Sequence, residues 1–98
     1  LVTSDEVGDP QALRIWTKVN GEPRQDGHTS DMVFGVAQII SYISEFMSLN
    51  PGDVVTTGSP HGVAAGFNPP KWLQPGDIVE MGVDGLGEQR HVVVAYPG

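Results

Sequence analysis

The residues with the clearest potential for chemistry lie in the loop Thr57-Gly58-Ser59-Pro60-His61-Gly62-Val63. The segment before it, Asp53 to Thr57, is rich in β-branched residues, which predicts a short buried strand. Ser59 would then stand at a strand end, where its hydroxyl and the backbone N–H groups can donate to a carboxylate or carbonyl oxygen. Gly58 would let a small ligand approach the backbone closely. The pattern predicts a binding site for a polar ligand at Ser59 and Gly58, with an ordinary turn serine as the alternative.

A Ser, His and acid cluster lies in Asp26-Gly27-His28-Thr29-Ser30-Asp31. Triads are recognised by geometry, and partners this close in sequence rarely point at one another. Asp26 and His28 alone do not define a metal site either. We therefore interpret the segment as a hairpin exit followed by a helix cap.

The remaining candidates are weaker. His61 follows the predicted strand and is a candidate ligand contact, although exposed loop histidines are more common. His91 is expected in a hairpin strand, and none of the histidines is a strong candidate for a catalytic base. Asp5, Glu6 and Asp9 lack the ligand spacing of a calcium loop and are interpreted as a solvated lead-in.

Local patterns predict the elements that must position this loop. Residues 12–19 alternate in the manner of a half-buried strand, Asn20-Gly21 suits a type I′ turn, and Pro23–Asp26 would return as the second strand. Apolar residues from Val36 to Met47 recur at helical spacing after the candidate cap Thr29-Ser30-Asp31.

The second half of the chain is punctuated by two Pro-Gly-Asp turns, at residues 51–53 and 75–77, and each is expected to start a strand. Residues 58–76 contain too many glycines and prolines for regular structure, although Phe67 and Trp72 favour an ordered loop. A closing hairpin is predicted from residues 77–83 and 88–95. Strands dominate with a single helix, which indicates an α+β, strand-rich fold or a mainly-β roll.

Composition limits the range of functions. With 98 residues and 39% hydrophobic content, the chain can form one domain at most. A net charge of -7 with only five Lys and Arg residues argues against nucleic acid, and an acidic ligand would need a local cation or metal. The chain has no cysteine, which fits a cytoplasmic protein, and its longest apolar stretch is broken by polar residues. Because it starts at Leu1 without Met, we expect a fragment or processed chain.

Several motifs, taken together and in order, resemble the C-terminal half of the fumarylacetoacetate hydrolase family. They are Leu1-Val2-Thr3, Asp9-Pro10, Val19-Asn20-Gly21, Gln25-Asp26-Gly27-x-Thr29-Ser30-Asp31-Met32, Thr57-Gly58-Ser59-Pro60-x-Gly62-Val63, Pro69-Pro70-Lys71-Trp72-Leu73-x-Pro75-Gly76-Asp77 and Gly85-Leu86-Gly87. Each motif alone would be weak evidence. The resemblance implies that residues 1–98 are the C-terminal part of a single catalytic domain, within a mixed β-sandwich roll.

The resemblance also implies a function, namely the metal-dependent chemistry of this family. Its members cleave or isomerise small 2-oxo and 2,4-dioxo acids with Mg²⁺ or Mn²⁺, which acts as a Lewis acid that stabilises an enolate while water attacks the distal carbonyl. The family's metal ligands, substrate lysine and water-activating His-Glu pair would all precede Leu1, so the catalytic residues are unknown here and no metal ligand is assigned. Only Ser59, where the family usually has Thr, carries over, as a contact to the substrate carboxylate.

The resulting expectation is a cytoplasmic, homodimeric, catabolic hydrolase that cleaves a carbon–carbon bond of an acylpyruvate-like acid. This chain would pack against the remainder of its own catalytic domain, with no nucleic acid or membrane partner. An isomerase, decarboxylase or lyase of the same family is the alternative. A non-catalytic β-roll used for dimerisation is a third hypothesis.

Overall fold

Antiparallel strand pairing organises residues 1–97, the part of the chain that the computed structural model describes. One sheet has the strand order β2-β1-β3-β4. Its strands are β1 (Arg14–Val19), β2 (Glu22–His28), β3 (Ile78–Val83) and β4 (Gly87–Val92). The helices are α1 (Ser4–Val7) and α2 (Val36–Ser44), with 3₁₀ turns at Thr29–Asp31 and Ala64–Gly66. The predicted α+β, strand-rich class is confirmed.

The first hairpin turns where the sequence predicts. Asn20 and Gly21 have φ angles of 52° and 78°, as a type I′ turn requires. The strand register then shifts between Thr17 and Lys18, because Thr17 pairs with Gln25 whereas Lys18 pairs with Pro23. Arg24 is therefore the extra residue of a β-bulge. Since β2 is an edge strand, Pro23 is tolerated within it.

The centre of the sheet contains the best-protected apolar contacts. Val19 on β1 pairs with Val79 on β3, and these side chains are 5% and 8% exposed. On β1, Lys18 lies 5.5 Å from the ring centre of Trp16. Trp16 in turn covers Gly82, where a Cβ would come within 2.7 Å of the indole. The central pair β1–β3 thus forms the small core of the described residues.

Helix α2 confirms the predicted helix but is shorter, because it ends at Ser44 and is followed by a turn. The predicted cap is wrong: Thr29–Asp31 forms its own 3₁₀ turn, and the N-cap of α2 is Gly35. Gln11 supplies the missing acceptor, since its Oε1 accepts from the Val36 N–H while its Nε2 donates to the Thr29 carbonyl. At nine residues, α2 is the longest helix in residues 1–97 and is too short to cross a bilayer.

The predicted strand from Asp53 to Thr57 is wrong for residues 1–97, in which this segment pairs with no strand. Val54 is 87% exposed. β-branched residues favour an extended backbone, but a strand also needs a partner, and composition does not specify one. The segment leads directly into the Ser59 region.

The long connection from Gly58 to Gly76 is irregular as predicted, apart from the 3₁₀ turn. Phe67 orders its middle, because the Lys71 ammonium and the Arg24 guanidinium lie 4.7 and 5.4 Å from its ring centre. Trp72, by contrast, is 62% exposed. Of the two aromatic residues, Phe67 is the one that packs inside this connection.

Candidate functional site

Ser59 and Gly58, the predicted binding residues, lie in the wall of a cavity of about 420 Å³. We call residues 57–62 the Ser59 loop. The rest of the wall comes from β1, from the end of β2 with its 3₁₀ turn, from the apolar segment that leads to α2 and from α2 itself. The apolar lining residues are Ile15, Met32, Val33, Phe34 and Ile39, and the polar ones outside the loop are His28, Thr29 and Asp31.

Gly58 has a backbone conformation that favours glycine. Its φ angle is 94°, and no atom lies within 4 Å of the position that a Cβ would occupy. The requirement at Gly58 is therefore conformational, because there is open space beside its α-carbon.

The Ser59 loop is fixed against β2 by side chains and close backbone contacts. Gln25 Nε2 donates to the Pro60 carbonyl at 3.0 Å, while Gln25 Oε1 accepts from the Thr17 hydroxyl at 3.0 Å. Gly62, with φ 102°, lies so close to β2 that a Cβ would come within 2.0 Å of the Arg24 carbonyl oxygen. Sequence reasoning missed both Gln25 and Thr17.

No local signal marks the Gln25 contact. Without a bulge, a hairpin turning at Asn20-Gly21 would place Arg24, not Gln25, opposite Thr17. The bulge shifts the register by one residue, and a one-residue shift moves a side chain to the other face of the sheet. Only the folded arrangement therefore shows that the Gln25 amide faces Thr17 and the Ser59 loop.

The Ser-His-Asp cluster does not form a triad. His28 Nδ1 accepts from the Ser30 backbone N–H at 3.1 Å and lies 2.6 Å from the Ser30 hydroxyl. Asp31 Oδ2 accepts from the His28 N–H at 3.3 Å, which completes a capping box. Asp26 instead pairs with Arg14, at 2.9 and 3.2 Å. The hairpin exit is confirmed, whereas the predicted cap of α2 is wrong, because the capping box in this segment belongs to the 3₁₀ turn.

Asp31 is the one carboxylate in the part of the cavity wall formed by residues 1–97, and the neighbouring Asp26 is paired with Arg14. The Arg14 guanidinium, by hydrogen bonding, holds the pKa of Asp26 below its usual range. No Lys or Arg belongs to the part of the cavity wall formed by residues 1–97. A bound carboxylate would therefore meet neutral donors at the Ser59 loop, namely the Ser59 hydroxyl and main-chain N–H groups.

A divalent metal does not fit the residues of this chain alone. Within residues 1–97, no three His, Asp or Glu side chains converge. In the cavity wall, the carboxylate of Asp31 accepts the capping hydrogen bond from His28, and the nearby Asp26 is held by Arg14. Hard divalent cations require several converging oxygen ligands. No catalytic step through a metal can be derived from these side chains.

Comparisons with known proteins agree with this architecture. Residues 1–94 match the model of the fumarylacetoacetate (FAA) hydrolase C-terminal family. A protein of Burkholderia multivorans is 54% identical over 96 residues, which cover 97% of this chain and 34% of that protein. The chain spans about a third of the length of the curated relatives it matches.

Solved structures show the same fold. Fumarylacetoacetate hydrolase from Exiguobacterium antarcticum superposes with a TM-score of 0.89 at 41% identity, over 97% of this chain and 34% of that one. Fumarylpyruvate hydrolase from Pseudomonas aeruginosa, in complex with Mn²⁺ and pyruvate, gives 0.80 at 34% identity, over 95% of this chain and 37% of that one. The chain belongs to the fumarylacetoacetate hydrolase family.

Proposed function

We propose that this chain is the C-terminal part of a single catalytic domain in a divalent-metal-dependent hydrolase that cleaves a carbon–carbon bond of a 2,4-dioxo acid. The observation that carries the proposal is the position of Ser59 and Gly58 in the wall of the cavity. Their loop offers a hydroxyl and main-chain donors without a cation, which suits one end of a small carboxylate held elsewhere by further groups. Family membership and the Pseudomonas aeruginosa hydrolase with bound pyruvate support this class of substrate.

The reaction adds water across a carbon–carbon bond. The water oxygen bonds to the distal carbonyl carbon, the bond between that carbon and the pyruvate unit breaks, and the released enolate takes a proton. When bound, Mg²⁺ or Mn²⁺ would supply Lewis-acid stabilisation of that enolate. We assign the metal ligands to residues that precede this chain in the complete protein. The part of this chain is to hold the substrate carboxylate at Ser59.

Packing supports a larger domain. In residues 1–97 Val19 and Val79, which are 5% and 8% exposed, are the only buried hydrophobic residues, while Tyr42, Phe46 and Met47 are 64%, 72% and 59% exposed. So much exposed apolar surface is typical of a surface that is covered by another part of the protein or by a partner. We propose that the rest of the catalytic domain covers it, in a cytoplasmic homodimer with a catabolic role.

The test uses the complete protein with Mn²⁺ and an acylpyruvate. Ser59→Ala should lower kcat/KM roughly tenfold to a hundredfold, because it removes a hydrogen bond to a charged group, worth about 1.5 to 3 kcal/mol. Ser59→Thr, which keeps the hydroxyl, should stay close to wild type. Thermal melts check that the fold survives.

Product analysis separates the alternatives. Release of pyruvate together with a second carboxylic acid identifies the hydrolase, whereas an isomerised or decarboxylated product identifies another activity of the family. An alanine variant within twofold of wild type would mean that Ser59 is only a turn residue. Turnover by the isolated 98-residue chain, free of complete enzyme, would overturn the assignment of the metal ligands to residues outside this chain.

A further inference from the structure

We propose that Gln25 is a positioning residue, which sets the place of Ser59 in the cavity wall through the carbonyl of Pro60. Thr17 holds the Gln25 amide in the orientation that this role requires. This role rests on the proposed function, in which Ser59 binds the substrate carboxylate. It adds a residue that does not itself line the cavity.

The Ser59 loop needs such an anchor. In residues 1–97, no main-chain hydrogen bond joins residues 54–62 to the strands of the sheet. Ser59 is exposed, so packing of its own side chain does not fix it. The position of its hydroxyl relative to the sheet therefore depends on the neighbours of the loop that touch β2.

The Gln25 amide has one favourable orientation. Its Oε1 accepts from the Thr17 hydroxyl, and its Nε2 donates to the Pro60 carbonyl oxygen, each at 3.0 Å and in a half-buried setting. If the amide were reversed, two acceptors, Gln25 Oε1 and the Pro60 carbonyl, would face each other. The Pro60 carbonyl, which can only accept, therefore selects the orientation in which Nε2 points at the loop, and the Thr17 hydroxyl stabilises that orientation by donating to Oε1.

Shape complementarity places the loop within reach of this amide. Gly62 packs against the Arg24 carbonyl at the bulge, where there is no room for a Cβ. At Gly27, a Cβ would come within 3.1 Å of Pro60 Cβ. These contacts set how close the loop comes to β2, whereas the Gln25 hydrogen bond fixes the orientation of the Pro60 carbonyl. Pro60 follows Ser59 directly, so a shift of its carbonyl is passed to Ser59 through a single residue.

The experiment uses the complete protein with Mn²⁺, and it measures both turnover of an acylpyruvate and binding of pyruvate as the smallest 2-oxo acid. Gln25→Ala and Gln25→Glu should each weaken pyruvate binding and raise KM about fivefold to tenfold, because neither side chain donates to Pro60 at neutral pH. Thr17→Val should have a smaller effect in the same direction. Thr17→Ser should restore wild-type values.

A double-mutant cycle distinguishes positioning from general stability. If Gln25 acts through Ser59, Gln25→Ala combined with Ser59→Ala should bind pyruvate within about twofold of Ser59→Ala alone. Gln89→Ala, at an exposed glutamine of β4, is the matched control and should match wild type. Thermal melts identify a variant that fails to fold, in which case Gln25→Glu and Thr17→Val decide the question.

Each result bears on the role of Gln25. Additive losses in the double variant, or a folded Gln25→Glu that binds pyruvate as wild type does, would overturn the positioning role. A wild-type protein that binds no pyruvate would also overturn it. If the wild type binds pyruvate but cleaves no acylpyruvate, the proposed function is wrong. Pyruvate binding by the variants then still tests the positioning role of Gln25.

Discussion

The two Pro-Gly-Asp turns have nearly the same local geometry. Gly52 and Gly76 have φ angles of 95° and 94°. In the first turn, Asp53 N–H donates to the Asn50 carbonyl at 3.0 Å, and its carboxylate accepts from Asn50 N–H at 2.8 Å. The corresponding distances between Asp77 and Gln74 are 3.1 and 2.9 Å.

The segments after the two turns differ completely. After the second turn, β3 pairs on both sides, and Asn20 accepts from the Ile78 N–H at 2.9 Å. The hydrogen bonding between β3 and β4 extends one residue beyond the start of β3, because Val93 N–H donates to the Asp77 carbonyl at 2.8 Å. After the first turn, residues 54–57 have no partner strand in residues 1–97.

A turn motif therefore determines where a strand can start and not whether that strand pairs. The tetrapeptide hydrogen bonds are local, so the same residues give the same turn twice. Pairing depends on a partner edge that is distant in sequence. The segment after the first turn instead reaches β2 through the side-chain and glycine contacts of the Ser59 loop.

The largest expected effect comes from removing the glycine that lets this loop reach β2. Gly62→Ala forces a Cβ against the Arg24 carbonyl at a φ angle of 102°, and should destabilise the complete protein by about 3 kcal/mol or more. Denaturant unfolding measures the change. Gly66→Ala is the control, since the nearest atom to its Cβ would be 3.8 Å away, and an equal loss in both variants would refute the contact.

The segments after the two turns also differ in the burial of their valines. Val79→Ala removes methyl groups from the buried pair on β3 and should cost about 2 kcal/mol. Val54→Ala, at a side chain 87% exposed, should cost less than about 0.5 kcal/mol if nothing covers it. Urea melts of the complete protein compare them. A cost at Val54 as large as at Val79 would show that another part of the protein packs on this segment.

The smallest effect is electrostatic. Hydrogen bonds from the Gln74 N–H and the Asn20 amide hold the pKa of Asp77 below its usual value of 3.8. The ionised carboxylate therefore stabilises the fold above that unfolded-state pKa, and the contribution is lost as pH falls through the folded-state pKa. Asp77→Asn should lower stability at pH 7, and the difference from wild type should shrink in acid.

Asp53→Asn is the matched change at the first turn. Asp53 accepts from Asn50, whereas Asp77 also accepts from the distant Asn20. Thermal melts at pH 7 should therefore show the larger loss of stability for Asp77→Asn, and melts from pH 7 down to about pH 2 follow the loss of the Asp77 contribution. Equal differences at the two turns would mean that Asn20 adds nothing.

Features governed by neighbouring residues were predictable from the sequence. The Asn20-Gly21 turn, the closing hairpin, the position of α2 and both Pro-Gly-Asp turns follow from local conformational preference and periodicity. Ser59 and Gly58 were identified by residue type and family resemblance and from a predicted strand end that does not form in residues 1–97, and the structure places both in the cavity wall. Their role toward a substrate stays a prediction.

Features governed by distant residues were decided by the tertiary structure. Gln11 caps a helix that begins 25 positions later, and the bulge at Arg24 turns Gln25 toward Thr17 and Pro60. Whether residues 54–57 pair depends on an edge that their composition does not encode. The reason in each case is that a hydrogen bond is completed by a group far away in the sequence, whereas the sequence by itself determines only the conformations that each segment prefers.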